Sequence, residues 1–465
     1  MIRLARTRLA LSVAATAAVA TAGSLAVGVA ASAHDGDHPT PTPTATGAPA
    51  DPNEKPIFLA AVLNGRNEVP TAGGPAVGDK DGQAVQVLRI KGNQVAFALS
   101  WKNVAAPTAG HIHLGATGTS GAVKIPFFGT ALPGTLNAAV GKVTITDTAL
   151  LEQIKTNPTG FYANLHTAEF PGGAVRGQLH TVTNPVDLTS VLRTGPLSAL
   201  LDSDQEIPAA DGKPTADPEG QATAFVRVQN KKVDFSFRWS GIQAPNNLHL
   251  HEGLVGTNGP VAVPLFPAVT ALPETFTGIA GSVSDISPEL TDKIENTPNK
   301  FYANIHTAEF PGGAVRGQLF RTGFGNAGVQ PGAVSASVVS GEQIYNCTKG
   351  ADGTFSYTQH NVRAVLAGDI RHSFVADAAG PPQWIAHDGS AVTGKLISRT
   401  PNGAANIAEL DLAATSSGKP KGRFASTVEI LRLNTVGGLA PTGPCDPNAK
   451  PIAKSPYKAD YLFIG

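Results

Sequence analysis

Residues 161–179 read FYANLHTAEFPGGAVRGQL, and residues 301–319 read FYANIHTAEFPGGAVRGQL. The two copies differ only where Leu165 corresponds to Ile305. In each copy, two segments with β-strand character flank a Pro-Gly-Gly turn, and this pattern predicts a β-hairpin. Because the copies lie 140 residues apart, they indicate tandem domains, since the repeats of a solenoid are much shorter.

Three further blocks recur in the same order ahead of these hairpins, at an offset of 138 residues. They are a segment ending in Glu-x-Pro, a tryptophan and a His-x-His triplet: residues 63–70 and 201–208, Trp101 and Trp239, and residues 111–113 and 249–251. We therefore expect two copies of one domain, over residues 57–182 and 188–321.

The rest of each copy also has the pattern of short strands. Apolar and polar residues alternate over 83–90 and 95–102 around a Lys-Gly-Asn-Gln turn, which is typical of a hairpin. A short helix over 148–155 is predicted after Asp147, whose side chain can cap it. Residues 334–465 match neither copy. The fold class that we predict is all-β: two tandem antiparallel β-sandwich or barrel domains, followed by a third β-rich domain.

The composition narrows the class of protein. The 465 residues include 51 Gly and 36 Pro, and only 15% are charged, which favours strands joined by tight turns over coiled coils or disordered polyelectrolytes. Lys and Arg equal Asp and Glu at 35 each, and removal of a leader with three arginines would leave a net charge of −3. We therefore expect neither nucleic acid nor an anionic membrane surface as a partner.

The first 33 residues have the pattern of a secretory signal peptide. Arg3, Arg6 and Arg8 precede a long apolar stretch, and Ala31-Ser32-Ala33 provides a cleavage site. The alternative is an N-terminal membrane anchor, but after cleavage we expect no membrane span and a location outside the cytoplasm. Residues 34–56 read as a Pro/Thr-rich linker. The new terminus at His34 would place a free amine beside an imidazole, a pair that can chelate copper.

The ordered blocks resemble a known family. Leu-Asn-Gly-x-x-Glu-Val-Pro, His-x-His-x-Gly and Tyr-x-Asn-x-His-Thr-x-x-x-Pro-Gly-Gly-x-x-Arg-Gly-Gln-Leu are similar to the CHRD domain, named from chordin and also found in secreted bacterial proteins. This resemblance implies an extracellular β-domain without a known enzymatic activity. Residues 334–465 resemble a bacterial family of secreted domains of unknown function.

The cysteines of the chain, Cys347 and Cys445, both fall in the third domain. Two cysteines in an exported chain favour a disulfide. A metal pair or a reactive thiol is the alternative.

The histidines are the candidate site. On a strand, His111 and His113 point to the same face, and a third histidine, His166, follows on a later strand. The second copy repeats the arrangement with His249, His251 and His306. Three imidazoles placed in this way can hold copper or zinc, and either ion is a candidate cofactor. The alternative is that the histidines only fix the hairpins, through hydrogen bonds to Asn164, Thr167 or backbone carbonyls.

The layout also resembles Cu/Zn superoxide dismutase, which has a His-x-His strand, a late ligand histidine and an arginine near the end of its sandwich. By that resemblance, Arg176 and Arg316 would steer anions. The chain has no counterpart of the bridging histidine or of the zinc-ligand loop, so the resemblance does not predict dismutase activity. Glu68 and Glu206 could also be ligands, but each precedes an apolar residue and a proline, and we favour the interpretation that they end a strand.

No sequence motif of a hydrolase, metalloprotease, phosphate loop or dinucleotide site is present. We therefore expect an exported, non-enzymatic binding or structural protein of the cell envelope or medium, whose partner is an envelope or extracellular protein or polymer. The alternative is a metal-binding protein with redox chemistry at its histidines.

Overall fold

The computed structural model describes residues 54–192, 195–208, 210–267, 271–322, 333–378 and 380–465. The predicted signal peptide and all but the last three residues of the predicted linker lie outside this part of the chain. Among the described residues, no helix combines the length and the apolar character that a membrane crossing requires.

The first repeat consists of short strands and one short helix. In chain order these are β1 (Ile57–Asn64), β2 (Gln83–Lys91), β3 (Gln94–Lys102), β4 (Pro107–Leu114), β5 (Val123–Phe128), β6 (Leu136–Thr144), α1 (Thr148–Thr156), β7 (Phe161–Thr167), β8 (Val175–Gln178) and β9 (His180–Val182). The predicted cap of α1 is confirmed, because the Asp147 side chain accepts a hydrogen bond from the Leu150 amide at 2.9 Å.

The second repeat has the same order of elements. They are β10 (Leu197–Asp202), β11 (Gln221–Gln229), β12 (Lys232–Ser240), β13 (Asn247–Glu252), β14 (Val261–Phe266), β15 (Phe276–Val283), α2 (Pro288–Asn296), β16 (Phe301–His306), β17 (Val315–Gln318) and β18 (Phe320–Arg321). Single 3-10 turns lie at Gly65–Asn67, Pro158–Gly160, Leu188–Leu192 and Pro298–Lys300.

Antiparallel pairing arranges the first repeat in the order β5-β4-β7-β8-β1-β2-β3-β6, with β9 also paired to β1. The second repeat pairs in the same way, and the sheet folds over an apolar core. Trp101 and Trp239, the tryptophans of the repeated blocks, are buried in that core. The predicted all-β fold class is therefore confirmed.

The two repeats share one sheet, a feature that the sequence did not suggest. Strand β6 of the first repeat pairs antiparallel with β15 of the second, with Ala139 opposite Ile279. The edge strands of the two repeats thus protect each other from solvent and from foreign strands. The division into separate domains at residues 57–182 and 188–321 stays a prediction.

The third region is a closed antiparallel barrel. Its strands are β19 (Ala333–Lys349), β20 (Phe355–Leu366), β21 (Ile370–Phe374), β22 (Pro382–Ile385), β23 (Ala391–Thr400), β24 (Glu409–Ser416), β25 (Glu429–Gly437) and β26 (Ile452–Ile464). The barrel closes because β19 pairs with both β20 and β26. The predicted disulfide is confirmed: Cys347 on β19 is bonded to Cys445, 98 residues later. A bridge that closes so long a loop contributes about 4 kcal/mol.

The barrel packs against the outer face of β1. Leu431, Leu433 and Leu462 of the barrel share an apolar cluster with Phe58 and Val62. Strand β1 is therefore buried on both faces, which explains why its sequence, IFLAAVLN, is apolar almost throughout.

Candidate metal centre

Strands β4 and β7 bring the predicted histidines of the first repeat together. In the register of this pair, His111 lies opposite Asn164 and His113 opposite Tyr162, while His166 lies two residues beyond Asn164. The strand alternation places all of these side chains on the outer face of the sheet, because Ile112 between the two histidines points into the core.

The three imidazoles are close enough to share one ion. His111 Nδ1 lies 3.4 Å from His166 Nε2. One nitrogen from each of the three histidines lies within 4.8 Å of the other two. A tetrahedral ion with nitrogen ligands at about 2.05 Å separates those ligands by roughly 3.3 Å. The closest pair therefore already has the spacing that such an ion imposes.

Backbone carbonyls fix the orientation of two of the rings. His113 Nδ1 donates to Gly121 O at 2.9 Å, and His166 Nδ1 donates to Pro171 O at 2.9 Å. A carbonyl oxygen only accepts, so the proton of each neutral ring sits on Nδ1 and the lone pair on Nε2. Metal-binding histidines are typically held in this way. The backbone hydrogen bonds expected if the histidines only fix the hairpins are therefore present. Histidines that bind a metal make the same hydrogen bonds.

The second repeat reproduces this geometry. His249 Nδ1 lies 3.3 Å from His306 Nε2, His251 Nδ1 donates to Gly259 O at 3.0 Å, and His306 Nδ1 donates to Pro311 O at 3.1 Å. His251 Nε2 is buried and has no hydrogen-bond partner among the described residues. A buried nitrogen lone pair without a donor is costly unless a cation or a proton donor meets it.

Burial favours the neutral form of the imidazoles of the second repeat. Burial, together with the nearby His306 and His251 rings, lowers the pKa of His249 to about 4. Burial also lowers the pKa of His251 and of His306. Neutral imidazole is the form that binds a metal.

In both copies, a tyrosine ring stacks on the second histidine of the His-x-His pair, and an arginine packs on that tyrosine. The Tyr162 ring stacks on His113, with the centroids 4.9 Å apart, and the Arg176 guanidinium carbon lies 3.4 Å from the Tyr162 centroid. Tyr302 and Arg316 form the same arrangement with His251 in the second copy.

Arg176 and Gln178 hold the loop that carries the carbonyl partner of His113. Arg176 donates to Ala116 O and Thr119 O, and Gln178 Nε2 donates to Gly115 O. Arg176 is 2% exposed. A guanidinium that is buried and bonded to carbonyls presents no charge to solvent, so we do not propose the anion-steering role for Arg176. Arg316 is equally buried and donates to Leu254 O, Thr257 O and Asn258 Oδ1, so the same applies to it.

Glu68 and Glu206 lie beside the sites and outside the groups of histidines close enough to share an ion. Burial raises the pKa of Glu68 to about 8, against the opposing effects of Arg176 and Asn164. Burial likewise raises the pKa of Glu206 to about 7. Each carboxyl fits against a glycine: a Cβ at Gly173 would lie 2.6 Å from Glu68 Oε1, and the φ of Gly173 is +135°.

Sequence reasoning missed Tyr162, Gln178 and their counterparts Tyr302 and Gln318. The available signal was strand alternation within the repeated hairpin, which places Tyr162, Asn164 and His166 on one face. His180, whose counterpart in the second copy is Phe320, lies outside the group of three histidines. Its Nε2 is 3.2 Å from Glu409 Oε2 of the barrel.

The comparisons with known families agree with the repeated geometry. A family model described as the CHRD domain matches residues 59–179 and 197–319. A model described as a protein of unknown function (DUF3455) matches residues 367–465. No curated protein and no solved structure matches the chain. Because the CHRD model matches each of the two repeats that carry the histidines, and together more than half of the residues, the chain belongs to the CHRD domain family.

Proposed function

We propose that the chain is a non-enzymatic metal-binding protein in which each CHRD repeat holds one copper or zinc ion through three histidines. The observation that carries this proposal is the preorganised set of three nitrogens, found twice with closest pairs of 3.4 and 3.3 Å. Carbonyl partners orient two of the three rings in each site before any ion arrives, which lowers the ordering cost at the moment of binding.

The choice of ion follows from the ligand chemistry. Neutral imidazole suits copper, zinc, iron and nickel, and copper(II) forms the most stable complexes of the divalent series. Three protein ligands leave a fourth position for water or for a group from a partner. The site thus supports metal storage, transport or metal-bridged association.

We also infer that the protein acts outside the cytoplasm. The disulfide between Cys347 and Cys445 supports this location, because such bonds persist in oxidising compartments. The signal-peptide pattern of residues 1–33 agrees with it. The expected envelope or extracellular partner stays a prediction.

The test is elemental analysis of the mature protein, produced by export and without a polyhistidine tag. We expect about two equivalents of copper or zinc per chain, one for each three-ligand site. The matched variant replaces His111, His113, His249 and His251 with alanine and should contain none. A variant with His34→Ala and His38→Ala controls for chelation at the new terminus and should keep both ions. A wild-type protein that stays empty after incubation with copper and with zinc would overturn the proposal.

A further inference from the structure

The closed barrel of residues 333–465 contains a cavity of about 460 Å³. Pockets that hold small molecules have volumes of roughly 300 to 1,000 Å³, and the mouths of barrels are among their usual places. An eight-stranded barrel is also just wide enough to hold one small ligand. The cavity lies in a region to which neither the histidine sites nor the family comparison assigns a function.

Aromatic and aliphatic side chains form most of the cavity wall. Trp384 is 1% exposed; the His372 ring stacks on it at 4.3 Å, and Tyr461 meets its edge at 5.3 Å. Leu410 and Leu412 line the cavity from β24. Such a wall favours a ligand with an apolar body.

Two buried donors in the wall have no acceptor. Trp384 Nε1 and Gln343 Nε2 are both buried and lack a hydrogen-bond partner among the described residues. The orientation of the Gln343 amide follows from its neighbour: Gln359 Nε2 donates both to Asn361 O and to Gln343 Oε1. Nε2 of Gln343 is therefore the amide atom that has no partner among the described residues. Each unmet donor costs about 1–3 kcal/mol, and an acceptor on a ligand would remove that cost.

Arg432 adds a positive charge to the same cavity. Its neighbours on β25, Leu431 and Leu433, pack against the first repeat, so strand alternation directs Arg432 to the interior. Its Nε and Nη2 both donate to Ala408 O, at 3.2 and 2.7 Å. No carboxylate of the described residues lies within ion-pair distance of it. Burial raises the pKa of the nearby Glu409 to about 7, although the charge of Arg432 opposes that rise. A partly buried guanidinium without an ion-pair partner favours an anionic ligand.

From these contacts we propose that the barrel binds a small apolar carboxylate, with its carboxylate toward Arg432 and its apolar body against Trp384 and the leucines. The second arginine of the lining, Arg399, is exposed to solvent, whereas Arg432 is partly buried. The cavity is mostly apolar and suits a monoanion, because a doubly charged phosphate would be far more costly to desolvate. This proposal is independent of the metal sites, and it is tested on the metal-free protein.

The experiment is calorimetric titration of the full mature chain with octanoate and decanoate. Octanol and decanol serve as uncharged probes of the same length. We expect one-to-one binding of the carboxylates, at least about tenfold tighter than that of the alcohols. No binding of either carboxylate, or equal affinity for acid and alcohol, would overturn the proposal.

Two variants, with Arg371→Gln as their control, test whether the cavity is the binding site. Arg432→Gln should remove the preference for the carboxylate, whereas Arg371→Gln, at an exposed position on β21, should keep it. Leu396→Trp, at a rim position that is 48% exposed, should weaken the binding of both the carboxylates and the alcohols. This variant tests the proposal if Arg432→Gln does not fold. Unchanged binding in Leu396→Trp, or an unchanged preference in a folded Arg432→Gln, would show that the cavity is not the site.

Discussion

The two CHRD repeats have almost the same histidine geometry in different surroundings. Their closest nitrogen pairs measure 3.4 and 3.3 Å. The three histidines of the first repeat are buried, with His111 at 2% exposure, whereas those of the second are only half-buried. The site geometry thus follows from what the two copies share: a His-x-His strand paired with the first strand of a nearly identical hairpin. Its accessibility does not follow from that sequence.

The outer faces of the two repeats also differ in burial, and again the first repeat is the more buried one. In the first repeat the barrel covers β1, and Val62 is buried beneath it. In the second repeat the equivalent residue of β10, Leu200, is 60% exposed. A duplicated module has therefore acquired an intramolecular partner on one copy and has kept an open face on the other.

The largest effect that we expect from this comparison concerns metal retention. His111→Ala and His249→Ala should each lower the metal content from about two equivalents to about one, since each removes one ligand of a three-ligand site. The ion left in His249→Ala should resist a chelator longer, because its site is the more buried one. Metal content is measured after timed dialysis against EDTA. Equal release from the two variants would show that burial does not control retention.

A smaller effect concerns His180, whose surroundings differ between the copies. His180→Phe should destabilise the protein by about 1–3 kcal/mol, because it places a larger apolar ring in a buried position beside the Glu409 carboxyl. The reciprocal Phe320→His, at a position that is 44% exposed, should change the free energy of unfolding by less than about 0.5 kcal/mol. Urea unfolding measures both. Similar losses in the two variants would contradict the importance of the barrel contact.

Taken per pH unit, the smallest expected effect is on the pH dependence of stability. The folded pKa of Glu68, about 8, and that of Glu206, about 7, lie above the ordinary value of 4.5. The stability that each protonated carboxyl contributes is full below pH 4.5 and is lost as the pH rises through its folded pKa. The slope is at most about 1.4 kcal/mol per pH unit for each group.

Glu68→Gln should therefore flatten the fall in stability up to about pH 8, and Glu206→Gln only up to about pH 7. Urea unfolding of metal-free protein at several pH values measures the difference. Glu169→Gln, at an exposed position, is the control and should leave the pH profile unchanged. A profile of Glu68→Gln that parallels the wild type would argue against a raised pKa.

Much of the fold was predictable because its determinants are local. Alternation over β2 and β3 predicts their hairpin, Asp147 predicts the start of α1, and the presence of two cysteines in a chain with an export signal predicts the disulfide. The histidines were predictable for the same reason, since an i, i+2 pair on a strand must share a face. The apolar pattern of β1 was a further signal, of burial on both faces, that the sequence predictions did not use.

The sequence by itself thus determined the duplication, the strand pattern and the identity of the residues that face each other within a hairpin. Only the tertiary structure decided the pairing of β6 with β15, the contact of His180 with Glu409 and the unmet donors inside the barrel. It also decided that Arg176 is buried in a loop scaffold. The physical reason is the sequence distance between the interacting residues. The direction of a side chain on a strand is local, because it repeats every two residues. The burial of a side chain and its partners depend on segments that can lie hundreds of residues away in the chain.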